Sequence, residues 1–235
     1  VPAPDDSATL DPPRVEAMFD RIAAIYDPLN SLMTAGLHHH WRQRAADLAE
    51  VGPGDRVLDV AAGTGDLTIE LARRVGADGE ALGCDFSDEM LRRARRKAPD
   101  LRFEHGDALA LPYEDGEFAA ATVGFGARNF ADLETGLREM ARVVHPGGRV
   151  VVLDFTTPAR PPLSTFFRLW FDRAVPIIGR ISGQPDAYRY LSRSVQRYPA
   201  PAVIAAHMAG CGMRDIRYVI TGGGIVTLHV GTVTG

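Results

Sequence analysis

Residues 57–68 read Val57-Leu58-Asp59-Val60-Ala61-Ala62-Gly63-Thr64-Gly65-Asp66-Leu67-Thr68, and Gly83-Cys84-Asp85-Phe86-Ser87 follows about one strand–helix unit later. Arg56 to Ala61 has the length and apolar character of a buried strand. Ala62 to Asp66 is a tight turn, and Leu67, Ile69, Leu71 and Ala72 open a helix. A glycine turn between strand and helix lets backbone N–H groups approach a polar or anionic ligand, because no Cβ intervenes. Asp85 closes the next apolar run, Glu80 to Cys84, where a carboxylate can accept both hydroxyls of a ribose. Together the two stretches predict a nucleoside-containing cofactor at the carboxyl ends of parallel strands.

The residues around the turn narrow the nucleoside. A dinucleotide turn carries a third glycine for close helix–strand packing, and Thr68 stands in that slot. Asp59 on the strand and Asp66 on the first helical turn would repel a pyrophosphate. They suit a zwitterion with an ammonium and a sulfonium, so S-adenosylmethionine fits the charge pattern and NAD fits it poorly. An ordinary packing turn would account for the glycines alone. It accounts less well for a third acid at a strand end, in Phe103-Glu104-His105-Gly106-Asp107-Ala108. There Asp107 can accept from an adenine amino group, with the Ala108 N–H facing a ring nitrogen.

Composition sets wide bounds. The chain has 235 residues, 46% of them hydrophobic, which is enough for one sizeable domain. A net charge of -4 gives no basic surface for nucleic acid, and the basic run Arg92 to Lys97 reads as a solvated helix face. Two cysteines, Cys84 and Cys211, make no disulfide framework. No stretch is long and apolar enough to span a bilayer, and no charged-then-apolar leader opens the chain, so the cytoplasm is the expected compartment. Residues 1–13 are rich in Pro and Asp and read as a flexible segment. His38-His39-His40 gives no metal expectation, since consecutive helical residues point different ways.

The remaining chain reads as one domain over residues 14–235. Helices are expected at about 13–34 and 40–50, then strands and helices alternate to about residue 155. Ala119 to Phe125 is a fourth apolar run. Val143 to Gly148 ends a helix, and Arg149 to Phe155 forms a fifth strand. Residues 160–182 read as helical and aromatic, within an insertion at about 160–200. Val203 to Met208 reads as a helix. Ile216 to Ile220 and Ile225 to Val230 read as strands joined at Thr221-Gly222-Gly223-Gly224. The expected fold is α/β, a doubly wound seven-stranded sheet with an antiparallel C-terminal strand.

More selective motifs run through the chain. They are Met18-Phe19-Asp20-Arg21-Ile22-Ala23 with Tyr26-Asp27-Pro28-Leu29-Asn30, Trp41-Arg42, Leu58 to Asp66, and Gly83 to Ser87 with Met90-Leu91. They continue as Phe125-Gly126-Ala127-Arg128-Asn129, Arg142-Val143, Pro146-Gly147-Gly148, Tyr190-Leu191, Ser194-Val195, Tyr198-Pro199 and Gly223-Gly224-Ile225-Val226 with Leu228-His229. From about Val15 onward the chain resembles the ubiquinone/menaquinone biosynthesis C-methyltransferase family. That resemblance implies a class I S-adenosylmethionine-dependent fold and methylation of a prenylated quinol, demethylmenaquinol foremost. The alternative substrate is 2-polyprenyl-6-methoxy-1,4-benzoquinol. An NAD-type oxidoreductase is a remote alternative, set against by the missing third glycine. A non-catalytic member of the fold is another, set against by the intact Arg128-Asn129 pair.

The resemblance also distributes roles. Ala62, Gly63, Thr64, Gly65, Asp85, Phe86, Met90, Asp107, Ala108 and the Gly124 backbone are the expected cofactor contacts. Arg128, Asn129 and Tyr26 are the expected catalytic residues. Arg128 would stabilise a phenolate or hold a relaying water, Asn129 would orient a ring hydroxyl, and Tyr26 would reach in from an N-terminal helical lid. The plainer alternatives pair Arg128 with Asp132 or Glu134 and make Asn129 a helix cap. His229 reads as structural. The chain departs from the family pattern at Asp154-Phe155-Thr156, where Glu-Phe-Ser is usual, at Tyr198 for Phe, at Ser192 for Pro, and at Gly124 for Ser in some members. A prenyl tail requires an apolar groove or a transient visit to the membrane surface, and Phe167 and Trp170 in the aromatic segment are the expected contacts. A location at the inner face of the membrane and a homodimer both stay open.

Overall fold

The computed structural model describes residues 17, 18, 20, 34, 36–158, 161, 163–169, 173, 190 and 193–235. Helix α1 (Leu37–Leu48) leads into strand β1 (Arg56–Val60), and α2 (Asp66–Val75), β2 (Glu80–Asp85), α3 (Asp88–Lys97) and β3 (Arg102–His105) follow. After β4 (Phe118–Gly124) come a 3-10 turn at Ala127–Asn129, α4 (Leu133–Arg142), β5 (Val144–Phe155) and α5 (Leu163–Leu169). The chain closes with α6 (Pro201–Gly210), β6 (Met213–Thr221), a 3-10 turn at Gly222–Gly224 and β7 (Val226–Val233).

The strands form one sheet in the order β3-β2-β1-β4-β5-β7-β6. The first five are parallel, and β7 runs antiparallel to both β5 and β6. The chain winds outward from β1 to β2 and β3, then returns to β4 on the other side of β1. This reversal puts a crevice at the carboxyl ends of β1 and β4, the place where doubly wound sheets bind ligands.

Alternation along the strands sorts the core into two layers. Leu58, Val60, Leu82, Val123, Val150 and Val152 face Leu137 and Met140 of α4 and Ile204 and Met208 of α6. Val57, Ala81, Ala120, Val151 and Leu153 face Trp41, Ala45 and Ala46 of α1 and Leu67 and Leu71 of α2. Two of the helices start on local caps: Ser87 Oγ accepts from Met90 N at 3.2 Å, and Asp132 Oδ1 accepts from Thr135 N at 3.1 Å. The acids Asp88 and Glu89 then open α3, and three basic residues close it, as the helix dipole favours.

Several boundaries differ from the sequence reading. Strand β5 begins at Val144 rather than Arg149, because Phe118 pairs with Val144 before the register shifts to Ala120 opposite Arg149. Pro146-Gly147-Gly148 is taken up in that bulge rather than terminating a helix. At Gly148 a Cβ would lie 2.4 Å from the Ala119 carbonyl oxygen, so the close approach requires glycine. Helix α1 starts at Leu37, α6 extends beyond Val203–Met208, and β6 and β7 outrun their apolar cores. The expected flexible residues 1–13 lie outside the described residues, as do most of the expected first helix, Tyr26, Trp170 and most of the aromatic insertion. Within α5, Phe167 is buried, while Leu163 and Leu169 are exposed.

The turn after β1 is held to glycine by two separate demands. Gly65 has φ +83°, and a Cβ there would lie 2.7 Å from Phe103 Cζ. Gly63 has φ +57°, but nothing lies within 4 Å of its Cβ position. Gly65→Ala is therefore expected to cost about 2–4 kcal/mol, combining backbone strain with overpacking. Gly63→Ala is expected to cost about 1–2 kcal/mol from strain alone. Thermal melts of the two variants check this, and equal losses would show that the Phe103 contact is not a constraint.

Candidate active site

Asp85 organises the turn. Its Oδ2 accepts the Gly63 N–H at 2.7 Å and its Oδ1 accepts the Ser87 N–H at 2.9 Å. One carboxylate thus joins the turn after β1 to the turn after β2. Burial pushes its pKa up to about 6, against the N–H groups of Ser87, Gly63 and Phe86, which favour the charged form. Ser87 also donates to Asp20 Oδ1 at 2.6 Å, which places Asp20 at this edge. Met90 is buried one turn into α3, and Phe86 is half-buried beside Asp85. Thr64 is buried, and its Oγ1 accepts from Lys97 Nζ at 3.2 Å.

The two acids beside the turn do not wait for a ligand cation in the way their sequence positions suggest. Asp59 is fully enclosed, with Oδ2 accepting from Thr68 Oγ1 at 2.7 Å and Oδ1 from Thr122 Oγ1 at 3.0 Å. Burial pushes its pKa up to about 7, opposed by those two hydroxyls and by Arg42. Asp66 is paired with Lys97 at 2.8 Å and with Arg42 at 3.4 Å. Burial raises its pKa, but these two cations outweigh it and hold the group below the usual carboxylate range. Asp107 is exposed and folds its Oδ1 back onto the Leu109 N–H at 2.9 Å, as a turn-capping acid does. Ala108 is half-buried beside it.

His38, His39 and Asp66 place ligand-capable atoms within 4.8 Å of one another. The group already surrounds a cation. Arg42 Nη1 contacts His38 Nδ1 and lies 3.4 Å from Asp66 Oδ2. A metal ion would have to displace that guanidinium, and His39 is exposed.

Past β4 the structure sets aside the plainer alternative for Arg128, a surface ion pair. Its side chain is 5% exposed and pairs with Asp154, not with Asp132 or Glu134, at 2.7 Å from Oδ1. Its backbone N–H donates to the other oxygen, Asp154 Oδ2, at 3.0 Å, and its guanidinium lies 5.3 Å from the Phe155 ring centroid. Asn129 is not a helix cap, because α4 starts at Leu133 behind Asp132. Instead Asn129 Oδ1 accepts from the Tyr190 hydroxyl at 3.1 Å. Tyr26 lies outside the described residues.

Sequence reasoning read His229 as structural and gave Tyr198 and Thr227, which also lie behind this pair, no site role. Tyr198 Oη, Thr227 Oγ1 and His229 Nδ1 are buried without a hydrogen-bond partner among the described residues. Thr227 sits opposite Asp154 in the β5–β7 register. His229 Nε2 lies 3.0 Å from the Pro201 carbonyl, which only accepts, so the ring proton is on Nε2 and Nδ1 is an acceptor. Burial pushes the His229 pKa down and the Tyr198 pKa up, so both are neutral near pH 7. The signal for Asp154 was its departure from the usual Glu. No spacing rule singles out Tyr198 or Thr227.

The residues at the turn fit a nucleoside sulfonium. Open space faces Gly63, the turn is bent by residues of positive φ, and Asp85 stands at the adjacent strand end. Gly124 closes β4 half-buried, with its Cβ position 3.0 Å from Leu67 Cδ2, so only its backbone is offered. Comparison with known proteins agrees with this reading. The family model described as the ubiE/COQ5 methyltransferase family matches residues 8–233. A protein of Thermus thermophilus named demethylmenaquinone methyltransferase is 46% identical over 219 residues, covering 91% of this chain and 99% of its own. A protein of Teredinibacter turnerae named ubiquinone/menaquinone biosynthesis C-methyltransferase is 39% identical, covering 93% of this chain and 91% of its own. The solved structure of a SAM-dependent methyltransferase from Aquifex aeolicus aligns with TM-score 0.56 and 18% identity, covering 96% of this chain and all of that one.

Two outcomes follow from the buried charges. Asp59 binds its proton more tightly folded than unfolded, so its ionisation between about pH 4 and 7 weakens the fold. Asp59→Asn is expected to match the parent in melting temperature near pH 4. It should gain on the parent as pH rises to about 7, by a few kcal/mol at most, and hold that gap above. A constant gap across this range would show that Asp59 is not desolvated. Arg128→Ala leaves Asp154 buried and unpaired, at a cost of about 3–5 kcal/mol. Denaturant titration should show much of that loss recovered when Asp154→Asn is added, and strictly additive losses would contradict the pairing.

Proposed function

The chain belongs to the ubiE/COQ5 methyltransferase family, and we propose that it uses S-adenosylmethionine to methylate a ring carbon of a prenylated quinol, converting demethylmenaquinol to menaquinol. The 46% identity over nearly the full length of the Thermus thermophilus protein named demethylmenaquinone methyltransferase carries this reading. The glycine turn and Asp85 support it from the cofactor side.

When bound, the sulfonium supplies an activated methyl group, so the chain's task is alignment and the exclusion of water. The Gly63 and Gly65 turn offers backbone at close range, and Asp85 can exchange its bond to the turn for ribose hydroxyls. Phe125 and Phe155, with ring centroids 4.9 Å apart, give the crevice an apolar wall beyond β4 and β5. A quinol ring becomes more nucleophilic at carbon when a hydroxyl proton is drawn away. Guanidinium is too basic to take that proton, so Arg128 acts through charge and by fixing Asp154. Asp154 and His229 Nδ1, which has no partner among the described residues, are acceptors that could take that proton. Asn129, held by Tyr190, can orient a ring hydroxyl.

The prenyl tail keeps such a substrate in the bilayer, at about 0.8 kcal/mol for each buried CH₂. No described helix is long and apolar enough to cross a membrane. The chain therefore meets the tail at its surface or in a groove. Phe167 is buried, and Leu163 and Leu169 are exposed apolar residues of α5 among those described. The benzoquinol reading is favoured by one observation, the name of the Teredinibacter turnerae relative.

Incubation with S-adenosylmethionine and each reduced quinone, followed by product mass, tests the proposal. A gain of one methyl group on the naphthoquinol is expected. Methylation of the benzoquinol alone would replace it with the second reading, and methylation of neither would reject both. Asp85→Ala is expected to weaken cofactor binding by about 1.5–3 kcal/mol in calorimetry, and unchanged affinity would remove Asp85 from the site.

A further inference from the structure

We infer that Arg42 binds the α-carboxylate of the cofactor's amino-acid tail, opposite the end of the crevice marked by Asp85. This rests on the reading that the cofactor is S-adenosylmethionine.

Arg42 lies on α1, yet its guanidinium reaches the glycine turn. It sits 3.4 Å from Asp66, the first residue of α2, and 5.4 Å from the centroid of the Phe125 ring beyond β4. The residue is only 5% exposed. A buried guanidinium carries five N–H donors and needs acceptors for them. Only Nη1 is engaged, by His38 Nδ1 and more distantly by Asp66. Among the described residues Nε and Nη2 meet no acceptor, and neither is among the polar atoms walled off from solvent. They form the planar fork that matches a carboxylate with two parallel bonds.

The local charge favours an anion. Asp66 is shared between Arg42 and Lys97, and the Lys97 contact is the shorter, 2.8 Å against 3.4 Å. Asp59, the other acid acting on Arg42, has its pKa pushed up to about 7 by burial, so it is only about half charged near pH 7. Two cations thus face less than two full negative charges beside the turn. The Phe125 ring holds the guanidinium plane at the ligand edge of β4.

Calorimetry with two ligands tests the assignment. S-adenosylhomocysteine carries the amino-acid tail, and 5′-methylthioadenosine is the nucleoside thioether without it. Arg42→Gln is expected to weaken the first by roughly tenfold to a hundredfold, the range for a lost charge-assisted pair. It should leave the second within about twofold, a change too small to count as a lost contact. Arg42→Lys keeps the charge but loses the fork, so an intermediate loss for S-adenosylhomocysteine alone is expected. It serves as the test if thermal melts show that the Gln variant does not fold. Equal weakening of both ligands, or of neither, overturns the proposal. If the parent protein binds neither ligand, the cofactor reading itself fails, and that result is visible without any variant.

Discussion

One carboxylate ties the functional edge of this molecule together. Asp85 ends β2, accepts the Gly63 N–H from the turn after β1, and accepts the Ser87 N–H from the start of α3. Two adjacent strand ends, two helix starts and the glycine turn are thereby fixed relative to one another. The arrangement is held by hydrogen bonds that a ligand can replace. Ribose hydroxyls could donate to the same oxygens. Ser87 passes the connection outward to Asp20.

The electrostatics around that edge are graded by depth. Asp59, enclosed by Thr68 and Thr122, loses much of its charge to burial, while Asp66, nearer the surface, keeps its charge because Arg42 and Lys97 surround it. A symmetric pair of acids, as the sequence positions suggest, would attract only cations. The graded arrangement leaves positive charge near α1 and negative charge near β2. An amino-acid nucleoside has this polarity, with its carboxylate at one end and its ribose hydroxyls at the other.

The geometry of the candidate cofactor turn was legible in the sequence because it is built from backbone. A strand, a glycine turn and a strand-end acid have fixed spacing along the chain, and Gly63, Gly65 and Asp85 could be read directly. The same holds for the doubly wound sheet with its antiparallel C-terminal end, since alternating apolar runs and helical periodicity leave few topologies. Boundaries failed where a tertiary feature overrode the local pattern. Pro146-Gly147-Gly148 looks like a helix terminator, and only pairing with Phe118 and Ala120 reveals a strand with a bulge. Arg42 stood in a recognisable Trp41-Arg42 pair, but nothing local shows that it reaches Asp66 and Phe125.

The substrate half was less legible because its parts meet only across strands. Arg128 is followed within six residues by two plausible acidic partners, and it uses neither. Asp154, 26 residues away and enclosed, is the better partner because both of its oxygens are satisfied by one residue, through guanidinium and backbone N–H. That choice has a chemical consequence. An arginine free in the crevice would pair first with any substrate oxyanion, whereas one committed to Asp154 presents a neutral ion pair with directional dipoles. Behind it Thr227, Tyr198 and His229 keep buried polar atoms that have no partner among the described residues. A neutral quinol can be desolvated against such a wall at less cost than an anion. The ring can therefore enter uncharged, and charge need develop only as its hydroxyl proton leaves.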